Sequence, residues 1–162
     1  MSSANRKKIV LNSHRFFRDI SPEILKELGL EDDTPATSAI GDPELYSVIR
    51  QGNHQIIITT KIRQEYVRET RKEGFPAALI GPVIDQLREH GLVDEPRNLP
   101  GGRRYFPGIP QWHRAFFTDA ILSEAHYFVT ENPVWLDIAD TMLHDHQLRV
   151  TTPGRFIQQE SR

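Results

Sequence analysis

The sequence contains no cysteine. Disulfides and thiolate metal sites are therefore excluded, and a reducing cytoplasm is the expected home. No apolar run approaches the roughly eighteen residues that span a bilayer, so no membrane partner is expected. The polar, basic stretch from Met1 to Lys8 is followed only by Ile9-Val10-Leu11, too short for the apolar part of a signal peptide. Charge of one sign is also missing. The net charge is −2, so any nucleic-acid binding needs a local basic patch rather than a global field. There is no internal repeat and no low-complexity tract. A Gly-rich phosphate loop and an Asp-x-Asp nucleophile motif are absent too, which argues against a small-molecule phosphohydrolase. What is present is 162 residues, 38% hydrophobic and 26% charged. That suits one globular domain with one core, read as residues 9–157 with flexible termini at 1–8 and 158–162.

The pattern alternates strands with helices. Ile9 to Leu11 is a continuous apolar run that suits a strand buried on both faces. Ser21-Pro22-Glu23 opens a helix that carries Ile24, Leu25 and Leu28 and stops at Gly29. Residues 31–43 read as an acidic loop, Pro43 to Arg50 as a helix, and Gln55 to Thr59 as a second strand. Thr60 then caps a helix from Lys61 to about Lys72, and Ala77 to His90 forms another before Gly91. Residues 94–110 hold four prolines and three glycines and read as loop. Trp112 to Ala125 returns to helical spacing, Tyr127 to Thr130 is a strand, and Asn132 caps a helix with Pro133 in its first turn. Leu148 to Thr151 and a helix from Pro153 close the chain. Such alternation predicts a three-layer α/β/α fold with a mostly parallel sheet.

In such sheets ligands bind at the carboxyl edge of the strands. Polar side chains converge there: Asn12 and Ser13 after the first strand, Glu65 in the helix after the second, Asp119 in the helix feeding the next strand. Thr130, Glu131 and Asn132 follow that strand, with Asp137 one turn on. Clustered carboxylates suit Mg²⁺ or Mn²⁺, which take oxygen ligands and can activate water for phosphodiester cleavage. The ordinary alternatives are a turn residue at Asn12, an N-cap at Asn132, a helix-dipole acid at Asp119 and solvated acids elsewhere.

The run Ile9-Val10-Leu11-Asn12-Ser13, the segment Ile62-Arg63-Gln64-Glu65-Tyr66, the motif Asp119-Ala120-Ile121-Leu122 with Ala125, and Phe128-Val129-Thr130-Glu131-Asn132 resemble, in order, the motifs of the PIN domain family. The ending Leu148 to Pro153 with Phe156-Ile157 is similar as well. The resemblance implies a metal-dependent endoribonuclease acting on RNA, with Glu65, Asp119, Asn12 and Asn132 as catalytic and Mg or Mn ligands and Asp137 as a further ligand. For toxin members it also implies a homodimer and an antitoxin partner. Asn12 and Asn132 stand where the family pattern has acids. Each lost charge weakens cation binding by on the order of a kcal/mol. A second expectation follows: a catalytically degenerate RNA-binding or protein-interaction module on the same fold.

Substrate contacts are expected from Ser13, Thr130, Arg103, Arg104 and Arg114. The arginines, with Arg97, His113, Tyr105 and Phe106, make a basic and aromatic stretch suited to single-stranded RNA. His14, Arg15 and Arg18 extend the same patch. His144 and His146 lie two apart and read as decoration of a solvated helix end. Trp135, Phe16-Phe17 and Phe116-Phe117 read as packing.

Overall fold

The computed structural model describes residues 6–30, 41–97, 99 and 114–161. Among these, β1 (Lys8–Leu11), β2 (Gln55–Ile57), β3 (Val93–Asp94), β4 (Tyr127–Val129) and β5 (Arg149–Thr151) form one parallel sheet in the order β3-β2-β1-β4-β5. Helices cover both faces, giving the expected three-layer α/β/α sandwich. β1 is central, and Ile9, Val10 and Leu11 are wholly buried, as a strand covered on both faces must be. From β1 the chain builds outward through β2 to β3, then returns to lay β4 on the other side of β1. The crevice between β1 and β4 is thus the topological switch point.

Several boundaries differ from the sequence expectation. Helical structure starts directly after β1 rather than at Ser21. It runs through α1 (Ser13–Arg15), a π-helical turn (Phe16–Ile20) and α2 (Ser21–Glu27). Ser21 is not a cap: its hydroxyl donates to the Phe16 carbonyl. After α3 (Pro43–Gln51), α4 (Thr60–Glu73) is capped by Thr59, whose Oγ1 accepts the Ile62 N–H at 3.1 Å. A 3₁₀ turn at Ala77–Leu79 precedes α5 (Ile80–Glu89). Strand β3 falls partly in the stretch read as loop, and two residues are too few to show a period. α6 (Arg114–Leu122) ends before Glu124, which has φ +57°, and so short of the expected Ala125; Trp112 and His113 lie outside the described residues. α7 (Pro133–Leu136), α8 (Ala139–His146) and α9 (Pro153–Glu160) complete the chain, α9 reaching past residue 157. No described helix is long and apolar enough to cross a membrane.

Packing is largely aromatic around the switch point. Tyr66 stacks on Phe16 at 4.3 Å, Phe117 on Phe128 at 4.9 Å, and Trp135 lies 4.5 Å from Phe128. Phe16, Phe17, Phe116, Phe117 and Trp135 are all buried, as read from sequence. The Tyr66 hydroxyl donates to the Leu11 carbonyl at 2.7 Å, and burial pushes its pKa far above the ordinary value, so it stays a neutral donor.

At the opposite edge two histidines hold the start of β1. His54 Nδ1 accepts the Lys7 N–H at 2.9 Å and His126 Nδ1 accepts the Lys8 N–H at 3.0 Å. An accepting Nδ1 requires the neutral ring. Burial lowers both pKa values, with Lys7 adding to the effect on each and Glu160 opposing it. A depressed histidine contributes stability that is complete above the ordinary pKa of 6.5 and lost as pH falls through its folded value. Replacing both by asparagine, whose Oδ1 can take the place of Nδ1, removes that dependence. Denaturant unfolding at pH 7.5 and 5.5 is expected to show a smaller acid loss for His54→Asn/His126→Asn than for the wild type.

Candidate functional site at the carboxyl edge

The site is built from the loops that leave β1, β2 and β4. Asn12 is 7% exposed, and both ends of its amide are used. Its Oδ1 accepts the Arg15 N–H at 3.1 Å, capping α1, and its Nδ2 donates to Thr130 Oγ1 at 2.6 Å. The Arg15 N–H fixes which amide atom is the oxygen. Thr130 is fully buried, and its Oγ1 also accepts the Asn132 N–H at 3.1 Å. The Asn132 Oδ1 in turn caps α7 by accepting the Val134 N–H at 3.0 Å. The structure therefore brings Asn12, Thr130 and Asn132 together across the switch point, with both amide oxygens facing backbone donors. Ser13 is half-buried at the first position of α1.

The acids lie on other helices, α4 and α6, and at the end of α7. Asp119, 4% exposed on α6, accepts the Thr59 hydroxyl at 2.5 Å. Glu65 lies on α4, which packs against α6, and pairs with Arg68 at 2.9 Å. Asp137 is exposed at the C-cap of α7. Among the described residues no group of three or more His, Asp or Glu side chains is placed to hold a metal ion. Arg103 and Arg104 lie outside the described residues, as does the side chain of Arg114, which opens α6.

Two participants escape a sequence reading. Thr59 looks like an ordinary strand end, yet its one hydroxyl caps α4 and holds Asp119. Arg15 looks like part of a surface patch, yet it is buried. Its guanidinium lies 3.2 Å from Asp19 and 3.6 Å from the exposed Glu131, and its Nε has no partner among the described residues. His14 and Arg18, read as part of the same patch, both pair with Glu73. Asp19 also accepts the Asp42 N–H at 2.7 Å. Burial raises its pKa to about 6, against the pull of that N–H and of Arg15. Its stabilising contribution is complete below the ordinary 3.8 and lost as pH rises through about 6. His144 is exposed and pairs with Asp145 beside it, as expected of a solvated helix end.

The fold is a three-layer α/β/α sandwich with a polar, hydrogen-bonded junction at its switch point. No family model, curated protein or solved structure matches this chain.

Two substitutions test the geometry. Thr59→Val removes a helix cap and strips a buried carboxylate of its donor, and is expected to cost about 2 kcal/mol or more in denaturant unfolding. At Gly41 a Cβ would lie 1.8 Å from the Arg18 carbonyl oxygen and 2.8 Å from Asp19 Oδ1. The nearer obstacle is backbone and cannot rotate away, so Gly41→Ala is expected to destabilise by about 1–3 kcal/mol.

Proposed function

We propose that this chain is a PIN-like domain that binds single-stranded RNA at the carboxyl edge of its sheet without depending on a divalent metal. The observation that carries this reading is the use of both amides. Asn12 and Asn132 stand where the PIN pattern has acids, and their oxygens cap α1 and α7. The buried cation at this edge is Arg15. Hard divalent cations take six or more oxygens, mostly charged or water. Of the two acids that the pattern keeps, Asp119 accepts the Thr59 hydroxyl and Glu65 pairs with Arg68. RNA is favoured by exposed Lys61 and Arg63 in the first turn of α4, which starts at this edge, and by exposed Arg97 at the head of the basic stretch.

The competing reading, a Mg²⁺- or Mn²⁺-dependent endoribonuclease, draws on one specific observation. Asp119 is buried on a helix that packs against the helix of Glu65, the two acids the pattern keeps. A homodimer, an antitoxin partner and a cytoplasmic location would follow from the resemblance and composition. No described residue argues for them.

The test is retention and cleavage of a mixed single-stranded RNA pool. Retention that is unchanged by EDTA, with no cleavage in Mn²⁺, is expected. Lys61→Gln/Arg63→Gln should weaken retention several-fold. Cleavage that disappears both in EDTA and in Asp119→Ala would establish the nuclease instead.

A further inference from the structure

A concavity lies at the opposite, amino edge of the sheet. Lys7, His126, Tyr127, Leu143, Gln147 and Arg149 line a cavity of about 220 Å³. Lys7 precedes β1, His126 and Tyr127 begin β4, Arg149 begins β5, and Leu143 and Gln147 come from α8 and its cap. We propose that this cavity binds a small phosphate-bearing anion.

Charge is the first support. Neither Lys7 nor Arg149 has an ion-pair partner among the described residues. Lys7 acts on His126 and Arg149 acts on Tyr127, so both charges are felt by side chains of the cavity wall. Glu160, an acid whose charge also acts on His126 and Tyr127, is tied to the Tyr127 hydroxyl at 2.8 Å. The second support is donor geometry. His126 Nδ1 accepts the Lys8 N–H, so the neutral ring carries its proton on Nε2 and that nitrogen can only donate. At the α8 C-terminus two carbonyls are already taken. The Leu143 and Met142 carbonyls accept the Gln147 N–H, and Met142 also accepts the Leu148 N–H. Size is the third support. The cavity is smaller than the roughly 300–1,000 Å³ of sites for drug-sized ligands, and Leu143, 43% exposed, gives it one apolar wall.

The phosphate could belong to a free small molecule or to the 5′ end of an RNA strand, and the experiment separates the two. Inorganic phosphate and pyrophosphate are titrated up to about 10 mM, above the millimolar range of weak binding, at constant ionic strength. A saturable rise in melting temperature is expected. Lys7→Gln/Arg149→Gln should weaken the midpoint at least tenfold, while Lys72→Gln on α4 leaves it unchanged. Both target side chains reach solvent, so the double variant should fold; its circular dichroism spectrum checks this. A 5′-phosphorylated oligoribonucleotide is then compared with its dephosphorylated form. Tighter binding of the first, lost in the double variant, assigns the phosphate to a strand end; equal binding assigns it to a free anion. No saturable effect on the wild type, or one that survives the double substitution, overturns the proposal.

Discussion

One hydrogen bond governs the carboxyl edge, the 2.6 Å contact from Asn12 Nδ2 to Thr130 Oγ1. It joins the ends of β1 and β4 at the point where the chain reverses direction across the sheet. The same amide caps α1 through its oxygen. Asn12 therefore ends a strand, starts a helix and ties the neighbouring loop. An aspartate would keep the cap, since it is as good an N-cap as asparagine. It would lose the donor, and the Thr130 hydroxyl would have to turn and donate in its place. The amide suits a closed, uncharged junction. A carboxylate would suit an edge that needs negative charge.

Charge around that junction is balanced within the protein. Arg15 leaves the cap of α1 buried, facing Asp19 on the next turn and Glu131 beyond β4. Burial alone would make both Arg15 and Asp19 costly, and their pairing offsets part of that cost. The Asp42 N–H completes the arrangement, which is why Gly41 passes so close to the Arg18 carbonyl. In this way the π-helical turn Phe16–Ile20, an uncommon element often found at functional sites, is held from both sides.

The layer architecture was legible because apolar strands separated by capped helices leave few alternatives. Ile9-Val10-Leu11 reads as a buried strand from its apolar continuity, Tyr127 to Thr130 as a strand, and Asn132-Pro133 as a helix start from its chemistry. The site was legible only in part. Asn12, Thr130 and Asn132 could be placed at one edge because they follow strands that a parallel sheet must align. Arg15 was misplaced on the surface because arginine is rarely buried and its partner Asp19 lies in a turn with no periodic signal. Thr59 was overlooked because Asp119, the group it holds, is 60 residues away. Two-residue β3 carried too little pattern to be seen at all.

The domain thus has two polar ends with different character. The carboxyl edge is knit together by amides and hydroxyls, and the amino edge is kept basic and open by Lys7 and Arg149. The claim on which the functional reading rests is that the carboxyl edge does not take a divalent cation. A thermal-shift titration with Mn²⁺ tests it most directly, because a ligand that binds only the native state raises its melting temperature. The wild type should show no saturable shift, and Asn12→Asp/Asn132→Asp should acquire one. A saturable shift in the wild type that vanishes in Asp119→Asn would contradict the claim and restore a metal site.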